Sequence, residues 1–169
     1  KQKLIFMSAT ISEEEIKRLP IDKEVCFIDL SSPKPVERRP IIPANKASMS
    51  RDMLEDSLPE LVKYIKQLAD HHNGEKGFIH APYGLADILK DHIDDDRFVF
   101  HTKQSKNDEL NRFMNSNEPL ILVGSGMYEG IDLKYDKSRW QLITKIPYPS
   151  LADSRTDLSL RTTLTTTRG

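Results

Sequence analysis

Two rhythms of apolar residues run along the chain. The first is a set of short, mainly apolar runs: Leu4–Met7, Val25–Ile28, Gly77–Ala81, Phe98–Phe100 and Leu120–Val123, with the more mixed Trp140–Ile146. Runs of this length without polar alternation predict strands covered on both faces, as in a parallel sheet. The second has helical spacing: Leu58, Leu61, Val62, Ile65, Leu68 and Ala69; then Leu85, Ile88, Leu89 and His92; then Leu110, Phe113 and Met114. Each set predicts a helix with one apolar stripe. Ser12 to Glu15 and Ser57 to Glu60 have capping-box spacing and predict helix starts at Ser12 and Ser57. Pro20 and Gly74 are expected stops, and Pro82 and Pro147 end their strands. From Leu58 onward the order is helix, strand, helix, strand, helix, strand, loop, strand. That alternation predicts an α/β fold, a doubly wound parallel sheet with helices on both faces.

Four prolines between Ser31 and Pro43, together with Arg38 and Arg39, predict an extended connector. The expected organisation is a strand–helix–strand portion at 1–30, the connector at 31–48, the α/β domain at 49–155 and an irregular Thr-rich tail at 156–169. A first residue that is not Met, leading directly into a strand, and the Thr-rich end read as a piece of a larger protein.

Composition adds less. The 169 residues are 30% charged and 37% hydrophobic with a formal net charge of −1, a globular and not a disordered profile. Any nucleic-acid site must then be a local concentration of Lys and Arg. The single cysteine, Cys26, has no partner for an internal disulfide and is expected as a buried core thiol. This fits a reducing, cytoplasmic or nuclear compartment. No run reaches membrane-spanning length, so no membrane partner is expected.

The chemistry-bearing residues sit where strands end. After Leu120–Val123 come Gly124, Ser125 and Gly126, whose backbone can approach a phosphate or ribose, and then Glu129, Gly130 and Asp132. Ser8, Ala9 and Thr10 follow the first run. Pro82, Tyr83 and Gly84 lie between a strand and a helix start that would favour phosphate, and Tyr83 either contacts a sugar or base or packs at the sheet edge. His101, Thr102, Lys103, Gln104, Ser105 and Lys106 form either a phosphate grip or a solvated turn in which Ser105 caps the next helix. Plainer readings are preferred elsewhere. His71 and His72 compensate a helix dipole, Asp94–Asp96 form a solvated turn, Trp140 packs in the core, and Arg38 and Arg39 belong to a solvated linker. No metal site is expected.

Five segments, in order, resemble those of one family. They are Ile5-Phe-Met-Ser-Ala-Thr-Ile11, Ser31-Ser-Pro-Lys-Pro-Val-Glu-Arg-Arg-Pro-Ile41, Gly77-Phe-Ile-His-Ala-Pro-Tyr83, Gly124-Ser-Gly-Met-Tyr-Glu-Gly-Ile-Asp-Leu133 and Ile146-Pro-Tyr-Pro-Ser-Leu-Ala-Asp153. The chain resembles the second, RecA-like motor domain of superfamily 2 DNA helicases of the XPD/DinG type, a P-loop NTPase-type fold. The sharpest match is the Glu-Gly-Ile-Asp loop followed by Ile-Pro-Tyr-Pro. The resemblance implies ATP and Mg²⁺ as cofactors of the parent protein, single-stranded or forked DNA as partner, and a first motor domain as the other half of the site. Asp132 is implied to hold the nucleotide ribose or a catalytic arginine, Glu129 to orient the loop, and Gly130 to permit its turn. Ser8 and Thr10 are implied to couple nucleotide and strand, although Thr10 or Ser12 also reads as a helix cap.

The chain departs from the family pattern in three places. It has no Gly-x-x-x-x-Gly-Lys-Ser/Thr loop, no Asp-Glu-Ala-His box and no Gln-x-x-Gly-Arg-x-x-Arg motif. The first two belong before Lys1, as would any iron–sulfur cluster. This piece alone is therefore expected not to hydrolyse ATP. Two other readings stay open: a non-catalytic nucleic-acid or protein docking module that kept a motor fold, and an RNA-directed helicase.

Overall fold

The computed structural model describes residues 3–8, 11–22, 24–31, 35–38, 40–44, 48–127 and 131–146. The expectations on Ala9, Thr10, Arg39, Glu129, Gly130, the Ile-Pro-Tyr-Pro stretch beyond Ile146 and the Thr-rich tail lie outside them. The chain divides into two compact units, Lys1–Pro43 and Ala44–Gly169.

In the first unit the capping box forms as its spacing predicts. The Ser12 hydroxyl accepts the Glu15 N–H at 3.2 Å, the Glu15 carboxylate accepts the Ser12 N–H at 2.8 Å, and helix α1 runs Glu13–Lys17. Those bonds from Ser12 hold the Glu15 carboxyl below its ordinary value. A single 3-10 turn, Val36–Arg38, lies in the proline-rich stretch. The two expected strands are a correction. Leu4–Met7 and Val25–Ile28 have no strand structure, and Ile5, Met7 and Ile28 are exposed. An apolar run becomes a strand only when neighbours take up its backbone groups and cover its faces. No sheet pairs these runs among the described residues. Cys26, expected as a buried thiol, is exposed for the same reason.

The second unit carries the sheet. Strands β1 (Gly77–His80), β2 (Phe98–Phe100), β3 (Ile121–Gly124) and β4 (Trp140–Ile143) are all parallel, in the order β2-β3-β1-β4. Gly77 stands opposite both Ile121 and Trp140, and Phe98 opposite Ile121. Helices α2 (Leu54–His71), α3 (Tyr83–His92) and α4 (Lys106–Asn115) complete the alternation. Successive strand residues point to opposite faces and build two cores. Ile79, Phe98, Ile121 and Val123 join Leu61, Ile65 and Leu89 of α2 and α3 on one face. Phe78, Val99 and Leu122 join Phe113 of α4 and Met127 on the other, with Ile131 and Leu133 packed against them. The sheet is doubly wound, as the uninterrupted apolar runs require.

Helix α2 begins one turn before the expected start at Ser57. Leu54 extends the stripe Leu58, Leu61, Ile65 by four residues and packs on the first core. The Ser57 hydroxyl accepts the Ser48 N–H at 3.2 Å, so it holds the incoming chain while Pro59 falls inside the helix. Beyond the helix end Gly74 has φ +88°, a conformation that favours glycine. Strand β4 stops at Ile143, short of the expected Ile146. There the Thr144 N–H and hydroxyl both donate to the His80 carbonyl, at 3.1 and 2.8 Å. Trp140 is buried in the first core as expected, with His72 stacked on it at 5.5 Å.

Arg97 ties the end of α2 to the start of β2. Its guanidinium donates to Asp95 at 2.7 Å and to Asp70 at 2.8 Å. These bonds raise its own pKa and hold Asp95 below the ordinary carboxylate range. The Asp94–Asp96 run is thus a turn braced by a cation.

Gly124 closes β3 where no side chain fits. A Cβ there would stand 2.5 Å from Phe78 Cζ and 3.2 Å from Met127 Sδ. Gly124→Ala is expected to destabilise the domain by about 2–3 kcal/mol, the upper range for overpacking a tight core. Urea unfolding checks this, and Phe78→Leu in the same chain should recover part of the loss by opening the space.

Candidate functional site at the carboxyl tips of the strands

Parallel strands bring all their carboxyl ends to one edge. The tip of β1 leads into Pro82, Tyr83 and Gly84, that of β2 into His101–Lys106, and that of β3 into Ser125, Gly126 and Met127. The chain leaves β1 onto the face of α3, and it leaves β3 onto the opposite face, where Met127 is buried. Adjacent strands whose connections part in this way leave a crevice at their tips, the usual ligand position in open α/β sheets.

The structure joins three of the sequence-predicted loops there. The Tyr83 ring, half-buried in the first turn of α3, meets the His101 ring edge-on at 6.2 Å. Lys103 Nζ stands over the Tyr83 ring, 5.4 Å from its centroid. The Ser125 N–H donates to His101 Nε2 at 3.0 Å. Lys106 Nζ donates to the Gly126 carbonyl at 2.9 Å. Gly126 has φ +62°, and a Cβ on it would lie 3.2 Å from the Tyr83 ring. Glycine there serves both the turn and the close approach of the aromatic. Thr102 and Ser105 cross-bond at 3.0 and 3.1 Å and stiffen the β2 loop, leaving Thr102, Lys103 and Gln104 exposed. Gly84 is exposed with open space beside its Cα.

Two contacts go beyond what the sequence reading assigned. His101 and Lys106 stood there as members of a phosphate grip or a solvated turn, yet they are the ones that grip the β3 loop. Ser125 was read as a phosphate donor, whereas its N–H is taken by His101. The Ser125 hydroxyl is buried with no hydrogen-bond partner among the described residues. The signal available in sequence was a histidine directly after a strand, which names a tip residue but not its partner.

Asp132 forms no hydrogen bond or ion pair with this cluster among the described residues. It lies on the segment returning from the tip of β3 toward the start of β4, between Ile131 and Leu133, whose side chains pack on the second core. It is exposed, and its carboxylate pairs with Lys134 at 2.9 Å. Lys134 in turn lines a cavity of about 550 Å³ at the amino edge of the sheet, with Lys76, Ser116, Tyr135 and Arg139. Ser8 is exposed and belongs to the first unit. Among the described residues no group of three or more His, Cys, Asp or Glu is placed to hold a metal ion, and no helix is long and apolar enough to cross a membrane.

A doubly wound parallel sheet with glycine, aromatic and cationic groups gathered at its carboxyl tips defines an α/β domain of the kind whose strand tips commonly serve ligands. The helicase C-terminal domain family matches residues 59–166, which takes in the whole sheet and the loops at its tips. The chain belongs to that family and forms part of a helicase. Comparison with the curated proteins and with the solved structures gave no match.

Proposed function

We propose that this domain is the second motor lobe of an XPD/DinG-type DNA helicase, which couples ATP hydrolysis to movement along single-stranded DNA and to opening of forked duplex. The observation that carries the reading is the Tyr83–Lys103 pair at the strand tips. An aromatic face beside a cation, next to a helix start with no acidic residue in its first turn, suits a single strand, since a base stacks on the ring while the cation meets phosphate. The five family segments support the finer assignment. Pro82, Tyr83, Gly84, Thr102, Lys103 and Gln104 then meet the strand.

The nucleotide lies between this lobe and a first motor lobe, which supplies the phosphate-binding loop, the Mg²⁺ ligands and any iron–sulfur cluster. Asp132 fits the nucleotide side because its carboxylate is exposed and faces away from the core, available to a ribose hydroxyl or an arginine. Gly124, Ser125 and Gly126 shape the loop next to it, and Glu129 and Gly130 continue that loop. Ser8, Ala9 and Thr10 couple the two sites. Opening and closing of the cleft converts turnover into stepping.

The test uses the parent protein. Tyr83→Ala is expected to weaken single-stranded DNA binding about tenfold, within the range for losing one base–aromatic stack. Lys103→Ala should weaken it several-fold and lower the salt dependence by about one counterion. ATP-driven opening of forked DNA, absent without ATP, completes the assignment. Equal opening of RNA duplexes would move it to an RNA-directed motor, and strand binding without ATP turnover would move it to a docking module.

A further inference from the structure

The ring of His101 has two partners of fixed chemistry. Its Nδ1 lies 2.9 Å from the Thr102 carbonyl, which can only accept, so Nδ1 carries the proton. Its Nε2 lies 3.0 Å from the Ser125 N–H, which can only donate, so Nε2 carries a lone pair. Together these bonds require the neutral Nδ1–H tautomer. Ser125 is 1% exposed, so its amide has no water to turn to if the acceptor is lost. The next residue, Gly126, is the positive-φ turn against Tyr83, and Lys106 holds its carbonyl. The histidine therefore joins the β2 loop to the β3 loop at the point where the Gly-Ser-Gly turn takes its shape. The ring itself meets Tyr83 of α3 and the Ser125 amide, while Lys103 stands over Tyr83 and Lys106 bonds the Gly126 carbonyl.

We infer that His101 is a positioning residue of the motor site, a latch that holds the Ser125–Gly126 turn through its Nε2 acceptor. The inference rests on the strand-and-nucleotide reading above. Without that acceptor the buried Ser125 amide loses its partner, and strand-stimulated ATP turnover falls, because the loop that bears Ser125 and Gly126 no longer has a fixed place relative to Tyr83.

The experiment uses the parent helicase and its His101→Ala and His101→Gln variants. Glutamine offers an oxygen acceptor of similar reach. The first readout is hydrogen exchange of a peptide spanning Ser125, corrected for intrinsic exchange. Protection should fall about tenfold in His101→Ala, the cost of one buried hydrogen bond, and be retained in His101→Gln. The second readout is strand-stimulated turnover: about a tenfold loss in His101→Ala, with recovery in His101→Gln. Wild-type protection in His101→Ala, or no retention of protection in His101→Gln, overturns the latch. Should His101→Ala fail to fold, His101→Leu, which fills the space without an acceptor, compared with His101→Gln still decides. Protection behaving as expected in a parent with no strand-stimulated turnover keeps the latch and removes the motor reading instead.

Discussion

Replacing Asp132 by alanine in the parent helicase is expected to lower strand-stimulated ATP turnover about 100-fold, the lower end of what losing one preorganised charged contact costs an active site. The expectation follows from how little the fold needs this side chain. Asp132 is exposed, it points away from the core between the inward-packing Ile131 and Leu133, and its partner is an equally exposed lysine. Such surface pairs contribute little to stability, so removing the carboxylate should leave the unfolding midpoint unchanged. A large loss of turnover without loss of stability can then be assigned to a ligand contact. In the free domain the carboxylate rests on Lys134, and its exposure makes exchange to a ribose hydroxyl or an arginine of the other lobe inexpensive. Lys134→Ala is the control and should retain turnover, because the lysine is only the resting partner. Unchanged turnover in Asp132→Ala removes this residue from the nucleotide site. An equal loss in Lys134→Ala would point instead to the amino-edge cavity that Lys134 lines.

The unevenness of the sequence reading has a physical origin. Phe78-Ile79, Phe98-Val99 and Ile121-Leu122 were legible as strands because the same chain supplies the neighbours that pair them and the helices that cover both faces. Leu4–Met7 is as apolar as any of these, but periodicity reports what a segment would bury, not whether anything is present to bury it. Cys26 was misplaced with its run. At α2 two local signals competed: the capping pattern at Ser57 placed the start there, and the apolar stripe, once Leu54 is included, places it a turn earlier. Packing decided between them, and Ser57 bonds Ser48 instead.

The gathering of the candidate loops was legible in the sequence, but their contacts were not. That the loops after Ile79, Phe100 and Val123 gather at one edge follows from parallel topology, which the alternation of elements carries. That His101 accepts from Ser125, or that Lys106 reaches Gly126 twenty residues away, depends on the stagger of neighbouring strands and on a ring tautomer. Neither leaves a periodic trace.

Lys76 shows the same limit at the opposite edge of the sheet, and the largest stability loss is expected there. The sequence presents it as one more charge after a helix. The structure buries it at 7% exposure, its ammonium donating to the carbonyls of Phe113 and of Ser116, the latter at 2.6 Å, with the Phe113 ring 4.8 Å away. Lys137 adds a bond to the Met114 carbonyl. The last turn of α4 leaves carbonyls without helical partners, and two ammonium groups satisfy them where the helix dipole also favours positive charge. Lys76→Ala leaves two acceptors without their charged donor and opens space against Phe113, at an expected cost of about 3–5 kcal/mol. Lys76→Met keeps most of the packing and should cost about 2–3 kcal/mol. The pH dependence separates the two contributions. Burial first, and then the charge of Lys137, hold the Lys76 pKa below the ordinary lysine value. Between that lowered value and the ordinary one the unfolded chain binds more protons, so this group's contribution to stability rises with pH across the window and is lost as pH falls through the lowered value. Unfolding free energies measured at alkaline pH should show that slope in the wild type and not in Lys76→Met. A Lys76→Ala chain as stable as the wild type would show that water caps the end of α4 equally well.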